Sequence, residues 1–310
     1  MPTARDVLTP EALSLLQAVA QAGSFAAAAR ELNLVPSAVT YRIRQIEDAL
    51  DVLLFDRSSR QARLTDAGTE LLREGGRLLL EIDAVANRVK RVATGWESQL
   101  TIAVDTVISN AIIMELAQAF FTLAPTTRLR LREESLSGTL EALSSGQADL
   151  AVGMALEPGA AAGIQSGLLG ELSFVYVVAP HHPLAKVKGP LKDELLQRHR
   201  AVAVADSVQR GTTMTVGLLA GQDVLTVGTM RAKLDAQLRG LGGGFVPEPM
   251  ARPYIESGRL VAKPVQRQTR PVRLTYAWRT SGAPGRALQW WLGQLESAAT
   301  RRALLEQHRA

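Results

Sequence analysis

The sequence predicts an α/β protein in which a small helical unit, one long helix and a larger α/β domain follow one another. Residues 24–47 have the pattern of a helix, a tight turn and a second helix. Residues 65–94 carry apolar side chains at sevenfold spacing, which indicates a long helix with a packing seam. Beyond residue 96, short apolar strands alternate with helices, as in a parallel sheet with crossover connections. We place the three parts at 1–64, 65–95 and 96–310.

Composition places the chain among globular proteins. It has 310 residues, of which 46% are hydrophobic, and this suffices for two or three domains with their own cores. The absence of cysteine excludes disulfides and cysteine-ligated metals, and it fits a reducing compartment. No apolar run approaches the ~20 residues of a membrane span, and residues 1–9 contain no apolar signal-peptide core. We therefore expect a cytoplasmic protein that does not bind a membrane.

Capping residues mark the start of each helix in the N-terminal unit. Ser24 precedes four alanines, and its hydroxyl is placed to accept a hydrogen bond from a free amide of the first turn. Pro36 suits the first turn of the next helix, where an amide proton is not needed. The proline ring also disfavours helical geometry at Val35, which supplies the turn. Thr9, ahead of Pro10, predicts an earlier helix in the same way.

The helix that begins at Pro36 has two unlike faces. Its apolar residues recur at helical spacing and form a stripe of Val39, Ile43, Ile46 and Leu50. The other face carries short hydrogen-bonding side chains, a tyrosine and an arginine, which reach phosphates and base edges in a DNA major groove. The candidates for contacts to double-stranded DNA are Pro36, Ser37, Thr40, Tyr41 and Arg44. An ordinary amphipathic helix with a solvated face is the alternative.

A two-stranded hairpin is predicted over residues 50–64, with its tip at 57–61. Arg57, Arg60 and Arg63 lie within seven residues there, and such a local cluster suits contacts to phosphates. The net charge of +5 carries less weight, because residues 1–63 contain seven cationic and seven anionic side chains. A charged surface loop is the alternative to a phosphate-binding hairpin.

The long helix is predicted from a cap at Thr65 to about Thr94. One set of positions at sevenfold spacing is Leu64, Leu71, Leu78, Val85 and Val92, and a second set is Gly68, Gly75, Ile82 and Val89. Because a lone helix this polar is marginal in water, its apolar stripe requires a partner helix. We expect a homodimer formed through Leu71, Leu78, Ile82, Val85 and Val89. A seam that packs on its own chain is the alternative.

Six short motifs follow one another at a specific spacing between Ser24 and Gly68. They are Ser24-Phe25-x-Ala-Ala-Ala, Leu32, Ser37-Ala38-Val39, Ile43-Arg44-x-Ile46-Glu47, Leu54-Phe55-Asp56-Arg57 and Leu64-Thr65-Asp66-Ala67-Gly68. Together they resemble the winged helix-turn-helix of the LysR-type transcriptional regulators. The resemblance implies a sequence-specific DNA-binding transcription regulator. One departure is Val35-Pro36, where the family usually has Ser-Gln, so a polar cap and a base-reading amide are missing and the usual operator contacts do not all carry over.

The resemblance to this family continues through the larger domain, at residues 143–153, 179–184, 241–247 and 258–261. It implies an effector-binding domain similar to the two-lobed periplasmic binding proteins. Lobe one then comprises about 97–170 and 272–305, and lobe two about 171–271. The resemblance also implies a homodimer that associates into a homotetramer through the effector domains.

Sheets of this kind bind ligands beyond the carboxyl ends of their strands, in the crevice between lobes. The residues predicted at that edge are Asp105, Thr106, Ser135, Ser137, Met154, Asp206, Phe245 and Val246. Their mixture of hydroxyls, carboxylates and apolar walls suits a small organic effector of the aromatic or carboxylate class. Thr106 and Ser137 have an equal alternative, since each precedes a predicted helix and can serve as a simple N-cap.

Residue patterns for catalysis and metal binding are absent from the sequence. It has no cysteine and no Gly-x-Ser-x-Gly elbow, and its four histidines form no nucleophile–base pair. The adjacent His181 and His182 point apart in an extended segment, so we expect neither a metal nor another cofactor. The interpretation is a DNA-binding regulator controlled by a small molecule between the lobes. The alternative is a solute-binding or enzymatic protein on the same two-lobed fold, which has no use for the N-terminal unit.

Overall fold

The computed structural model describes residues 3–56, 62–123, 127–156, 163–208, 215–267, 270–280 and 283–308. The chain divides into two compact units, Met1–Val89 and Lys90–Ala310. The division falls within the long helix, between the two boundaries that the sequence suggested at its start and at its end. Arg57 and Arg60 lie outside the described residues.

The first unit begins with four helices. They are α1 (Ala4–Val7), α2 (Pro10–Ala22), α3 (Phe25–Glu31) and α4 (Pro36–Leu50). The predicted caps are confirmed, since the hydroxyl of Thr9 accepts from Ala12 N at 3.3 Å and that of Ser24 accepts from Ala27 N at 3.1 Å. Pro36 is the first residue of α4. The helix-turn-helix therefore forms as its local sequence predicts.

A short antiparallel strand pair follows α4. It consists of β1 (Phe55–Asp56) and β2 (Arg63–Leu64), so the predicted hairpin is present with strands of only two residues each. The buried carboxylate of Glu47 accepts hydrogen bonds from Leu54 N at 2.8 Å and Phe55 N at 3.4 Å. This side chain of α4 thereby fixes the start of the hairpin.

One hydrophobic core holds the four helices and the hairpin together. It includes Leu16 and Val19 of α2 and Ile43 of α4, and Phe25 meets Phe55 edge to face with ring centroids 5.2 Å apart. Within the described residues, no single helix is long and apolar enough to cross a membrane. The bent pair of α2 and α3 meets that test on length and composition, but its buried apolar residues belong to this core.

The long helix α5 (Asp66–Thr94) begins, as predicted, after Thr65, whose hydroxyl accepts from Gly68 N at 3.0 Å. A Cβ at Gly68 would overlap the carbonyl oxygen of Leu54, and one at Gly75 would lie 2.8 Å from Leu13 Cδ2. Leu71, between these glycines, packs against the core of the first unit. The first turns of the predicted seam therefore pack in part on their own chain, and the assignment of the partly buried Leu71 to a dimer contact stays a prediction.

The second unit alternates strands and helices as predicted. Its elements are β3 (Gln99–Asp105), α6 (Asn110–Phe121), β4 (Arg128–Glu134), α7 (Gly138–Ser144), β5 (Leu150–Met154), β6 (Ile164–Leu172), β7 (Phe174–Val178), α8 (Asp193–Leu196), β8 (Ala201–Val204), β9 (Val224–Val227), α9 (Met230–Leu238), β10 (Gly244–Pro247), α10 (Glu248–Glu256), β11 (Val261–Lys263), β12 (Val272–Arg279), α11 (Arg286–Glu296) and α12 (Ala298–Glu306).

Lobe one is built on a five-stranded sheet of order β4-β3-β5-β12-β6. β3 pairs in parallel with β4 and β5, whereas β12 pairs antiparallel with β5 and β6. The prediction of a parallel sheet is right for the first three strands and wrong for the other two. β6 escaped prediction because it is an edge strand whose exposed polar and glycine residues interrupt the apolar pattern.

Lobe two contains two small sheets. One is antiparallel, of order β10-β7-β11, and the other pairs β8 and β9 in parallel. One hydrophobic cluster runs through both lobes, from Ile102, Phe120 and Trp291 in lobe one to Val177 and Val246 in lobe two. The cleft between the lobes therefore lies above a continuous core.

Candidate functional site

The exposed face of α4 carries the predicted DNA contacts. Pro36, Ser37 and Arg44 are exposed and Tyr41 is 63% exposed, while Thr40 is partly exposed. We call these five residues the α4 polar face. The opposite face is buried, as the apolar stripe predicted, and this burial fixes which side of the helix meets solvent. Side chains that recognise DNA must be accessible in this way.

Two hydrogen bonds along α4 hold hydroxyl groups of this face. Thr40 Oγ1 donates to the carbonyl of Pro36 at 3.0 Å, so its proton is engaged within the helix. Gln45 Nε2 donates to the hydroxyl of Tyr41 at 3.1 Å, which leaves the Tyr41 proton free to be donated elsewhere. Val35 forms no side-chain cap, as the departure from Ser-Gln predicted. Tyr41 is therefore the better equipped of the two hydroxyl residues to read a base edge.

One cation of the predicted hairpin cluster can be placed. Arg63 is exposed on β2, where its side chain can meet a phosphate. Its neighbours in the sequence cluster, Arg57 and Arg60, lie outside the described residues. Their assignment to phosphate contacts stays a prediction.

Four apolar side chains of α5 form an exposed strip. Leu78, Ile82, Val85 and Val89 are between 47% and 64% exposed, and their spacing of three and four residues places them on one side of the helix. We call them the α5 apolar strip. A row of large apolar side chains in water is unfavourable, and such rows commonly mark interaction surfaces.

Hydrogen bonds between lobes join the ends of β4 and β8. The Ser207 hydroxyl accepts from Ser135 N at 2.8 Å and donates to Glu134 Oε2 at 2.7 Å. The Ser135 hydroxyl donates to the carbonyl of Gly228 at 3.2 Å and lies 3.3 Å from Thr106 Oγ1. We call this network, which also contains Asp105, Leu136, Ser137 and Asp206, the interlobe seam. It brings together five of the eight predicted effector residues.

The alternative that Thr106 and Ser137 are simple N-caps is wrong. α6 begins at Asn110, and its cap is Ser109, whose hydroxyl accepts from Ile112 N at 3.4 Å. Ser137 precedes α7, but its hydroxyl donates to Asp206 across the lobes instead of capping the helix. Both hydroxyls therefore form hydrogen bonds within the interlobe seam instead of capping a helix.

Asp105 is the buried anchor of the interlobe seam. Its carboxylate accepts from Val107 N at 3.0 Å and from Leu136 N at 3.1 Å. Burial raises its pKa to about 7, against the effect of these two amides, and the charges of Asp206 and Glu133 add to the rise. Leu136 has a positive φ of 57°, a backbone conformation that non-glycine residues rarely adopt. Such local strain is common at ligand sites.

A cavity of about 470 Å³ adjoins the interlobe seam. We call it the interlobe cavity, because Asp105 and Thr106 of lobe one line it together with Arg231, Leu234 and Tyr254 of lobe two. Its volume is in the range of pockets for small organic molecules, roughly 300–1,000 Å³. Its walls combine apolar side chains with charged and hydroxyl groups, so they can orient a polar ligand.

Three predicted effector residues lie elsewhere. Met154 is buried in a hydrophobic cluster of lobe one, and Val246 is buried in the core shared by both lobes. Phe245 packs edge to face on Tyr176, with ring centroids 5.3 Å apart, inside lobe two. The expectation that all eight residues converge on one crevice is therefore wrong, because these three side chains pack in hydrophobic clusters and do not line the interlobe cavity.

Sequence reasoning placed Ser207, beside Asp206, at this edge but missed Glu134 and Gly228, which complete the interlobe seam with it. Gly138, directly after Ser137, is a local sequence feature that indicates a close approach of other side chains at this point. A Cβ at Gly138 would overlap Ser207 Oγ and lie 2.9 Å from Glu134 Oε2, so only glycine fits there without a shift. The partners of Ser207 are more than 70 residues away along the chain and leave no local pattern.

Comparison with known proteins agrees with these surfaces. The bacterial regulatory helix-turn-helix family of LysR matches residues 10–69, and the LysR substrate binding domain matches residues 93–300. A probable HTH-type transcriptional regulator of Escherichia coli, YhaJ, is 38% identical over 93% of this chain and 96% of its own. YeeY of the same species, an HTH-type transcriptional regulator, is 35% identical over 92% of each chain.

A solved structure of full-length CbnR in complex with its target DNA has the same fold. It superposes with a TM-score of 0.59 at 20% identity and covers 93% of this chain and 99% of CbnR. The matched relatives are transcription regulators rather than enzymes. With both family domains matched and relatives above 30% identity along nearly its whole length, the chain belongs to the LysR family of DNA-binding transcription regulators with a substrate-binding effector domain.

Proposed function

We propose that a small organic effector binds in the interlobe cavity and controls DNA binding through the interlobe seam. The observation that carries this proposal is that Asp105 and Thr106 line the cavity and are hydrogen-bonded within lobe one to Leu136 N and Ser135 Oγ. Ser135 in turn forms hydrogen bonds to Ser207 and Gly228 of lobe two. A molecule in the cavity would touch groups that set the relative angle of the lobes. Its affinity would then differ between lobe arrangements, which is the requirement for a ligand-driven switch.

The lining of the interlobe cavity supports an effector with an apolar body and one anionic group. Ile108, Leu131 and Met250 supply apolar walls, and Arg231 supplies a cation. Guanidinium groups bind carboxylates with paired hydrogen bonds. An aromatic carboxylate of modest size combines both features, and we take it as the effector class to screen first.

A substitution at Thr106 tests this site. A screen of aromatic carboxylates by thermal shift identifies a ligand, because a ligand that binds the folded state raises its melting temperature. With that ligand, Thr106→Val should weaken binding by about 0.5–1.5 kcal/mol through loss of one hydrogen bond, while DNA binding without effector is retained. Thr106→Ser is the matched control and should bind the effector as the wild type does. Equal effector affinity in wild type and Thr106→Val would remove Thr106 from the site.

We further propose that the α4 polar face and Arg63 form the DNA-binding surface. The accessible tyrosine, serine and arginine of α4 support direct contacts to bases and phosphates. Because Pro36 and Val35 stand where the family has a polar pair, specificity in this chain rests on Tyr41, Thr40 and Arg44.

The α5 apolar strip supports a homodimer through this helix. Leu78→Asp would place a charge in the covered strip without a partner, which strongly disfavours association. We expect a monomer by light scattering and loss of binding to a two-half-site operator, while the first unit stays folded. Ala84→Asp adds the same charge off the strip and should leave the dimer intact. An undisturbed oligomer in Leu78→Asp would refute the role of the strip.

Exposed apolar residues of α6 support a second contact that joins dimers into a homotetramer. Met114 and Phe121, seven residues apart and therefore on one side of α6, are about half exposed, and so is Leu123 two residues beyond the helix. The light-scattering mass of the wild-type protein tests this assembly directly. A mass of two chains at all concentrations would contradict it.

A further inference from the structure

Lobe two contains a buried lysine without a counter-ion. Lys233 lies on α9 and is only 6% exposed. Its Cε lies 3.2 Å from the position that a Cβ on Gly244 would take, so the side chain runs beneath β10. Within the part of the chain that the structure describes, no hydrogen bond or ion pair engages its ammonium group. Buried lysines without a partner are rare, since a charge removed from water must be compensated.

Lys233 faces a small cavity inside lobe two. The cavity has a volume of about 10 Å³ and is lined by Lys233, Tyr176, Phe245 and Arg267, among others. The Tyr176 hydroxyl is buried there and has no hydrogen-bond partner among the described residues. Burial raises the pKa of Tyr176 to about 12, so the phenol keeps its proton at neutral pH and remains a donor. Two donors, one of them an ammonium, thus line the same small cavity.

The charge of this cavity is positive at neutral pH. Burial lowers the pKa of Lys233 to about 8, which still leaves the amine mostly protonated at pH 7. Arg267 adds no net charge, because its Nε lies 2.9 Å from Asp193 Oδ1. The unpaired carbonyl oxygen of Gln237 offers a dipole but no neutralising charge. The lysine is therefore the one lining cation of the described residues that lacks compensation.

We propose that this cavity is a site for a monatomic anion, with chloride or bromide as its ligand class. A cavity of this volume holds about one water-sized particle, so a carboxylate or phosphate does not fit. A halide accepts hydrogen bonds from the Lys233 ammonium and the Tyr176 hydroxyl and neutralises the buried charge. It would thereby stabilise the packing of α9 beneath the sheet of lobe two.

The glycine cluster ahead of β10 keeps this space open. A Cβ at Gly243 would overlap the Tyr176 hydroxyl, and one at Gly244 would crowd Lys233. The side chain of Phe245 then closes the cavity against Tyr176. The close approach of Tyr176 and Lys233 gives a physical reason for glycine at both positions.

Halide-dependent melting of the full-length protein tests the proposal. Sodium bromide or chloride replaces sodium gluconate at constant ionic strength and pH 7, and the melting temperature is recorded for wild type and Lys233→Met. We expect a saturable rise in the wild type, as for any ligand of the folded state, and no halide-specific rise in Lys233→Met. Lys188→Met, an exposed lysine of the same lobe, should respond like the wild type. The readout is the halide dependence, so a change in basal stability does not obscure it.

Tyr176→Phe removes only the hydroxyl and serves if Lys233→Met fails to fold. It should raise the halide concentration at half-effect several-fold. Crystals soaked in bromide should show anomalous scattering in the cavity of the wild-type protein. No halide-specific rise in the wild type, an equal rise in Lys233→Met, or a cavity that contains only water beside a neutral amine would each overturn the proposal.

Discussion

The α4 polar face and the interlobe seam use the same kinds of side chain in opposite states. On α4, Tyr41 and Arg44 are exposed to solvent and keep hydrogen-bonding capacity for a partner. In the seam, the Ser207 hydroxyl is bonded to the backbone of Ser135 and to Glu134, and the Ser135 hydroxyl donates to the carbonyl of Gly228. The first surface is ready to bind as it stands. In the interlobe seam, the polar groups must give up their present hydrogen bonds before they can bind a ligand.

This difference separates recognition from control. Hydroxyl and guanidinium groups that are already in water lose little when DNA replaces that water, so the α4 polar face needs no rearrangement. In the interlobe seam, hydrogen bonds to a carboxylate such as Glu134 are worth roughly 1.5–3 kcal/mol each. An effector that replaces them changes the balance between lobe arrangements by a comparable amount. The interlobe seam, whose polar groups are hydrogen-bonded to one another, is therefore suited to a switch. The α4 polar face, whose groups are free to bind a partner, is suited to docking.

The largest expected effect comes from disrupting the seam at Gly138. Gly138→Ala places a methyl group on Ser207 Oγ and close to Glu134 Oε2, so the interlobe hydrogen bonds must shift. Overpacking of this kind typically destabilises a protein by about 1–3 kcal/mol. We expect that loss in the unfolding free energy of the second unit from denaturant titration, together with weaker coupling of effector to DNA binding.

Gly228→Ala is the matched control for this change. Gly228 belongs to the same seam, but nothing lies within 4 Å of the Cβ that alanine would add. The unfolding free energy of the Gly228→Ala protein should stay within about 0.5 kcal/mol of the wild-type value. If Gly138→Ala were as stable as Gly228→Ala, the seam would not be closely packed and the comparison with α4 would fail.

The next effect concerns the open surface. Tyr41→Ala should reduce the ratio of specific to nonspecific DNA binding by about 1–3 kcal/mol, because the exposed ring and hydroxyl read a base edge. Arg63→Ala should instead weaken both kinds of binding equally and reduce the salt slope by about one. Mobility shifts over a range of salt concentrations, on a site selected from random DNA, measure both quantities.

Tyr41→Phe separates the two contributions of the tyrosine. It keeps the ring and removes the hydroxyl, so an intermediate loss of specificity is expected when the hydroxyl takes part in recognition. An unchanged specificity ratio in Tyr41→Ala would show that the α4 polar face is only a solvated helix surface.

The first unit could be predicted closely from the sequence because its determinants are local. Ser24 caps an amide three residues away, and Pro36 starts the helix in which it lies. The sevenfold spacing of α5 correctly predicts a helix. It does not predict that the first turns of this helix pack on the first unit while its later turns are exposed. Gly68 and Gly75 let its first turns approach the first unit closely, which the spacing alone does not reveal. From Leu78 onward the same spacing gives an exposed strip.

The candidate effector site was predicted only in part, since its contacts are distant along the chain. Strand ends located Asp105, Thr106 and Ser135 correctly, because parallel strands end at one edge of a sheet. They misplaced Phe245 and Val246, because β10 belongs to an antiparallel sheet with one face packed in a cluster of lobe two and the other in the core shared by both lobes. Strand order in lobe two depends on pairings that no local pattern records.

The smallest expected effect is a pH dependence that arises from Asp105. Its pKa of about 7 in the folded protein lies above the ordinary value of 3.8, so the folded protein holds a proton that the unfolded chain has released. The folded state then binds more protons between about pH 4 and 7, and stability falls as pH rises through that range. From pH 6 to 8 the loss amounts to roughly 1 kcal/mol for a group with this pKa.

Asp105→Asn removes this titration and sharpens the contrast between the two surfaces. The asparagine has no proton to lose, so its stability between pH 6 and 8 should fall less than that of the wild type. His182 and His308, whose pKa values are lowered by burial, titrate alike in both proteins and cancel in the difference. Thermal unfolding of both proteins across this range measures it. Parallel curves would mean that Asp105 is ionised throughout, and that the seam is held by a charged carboxylate rather than by one poised to change state when an effector enters.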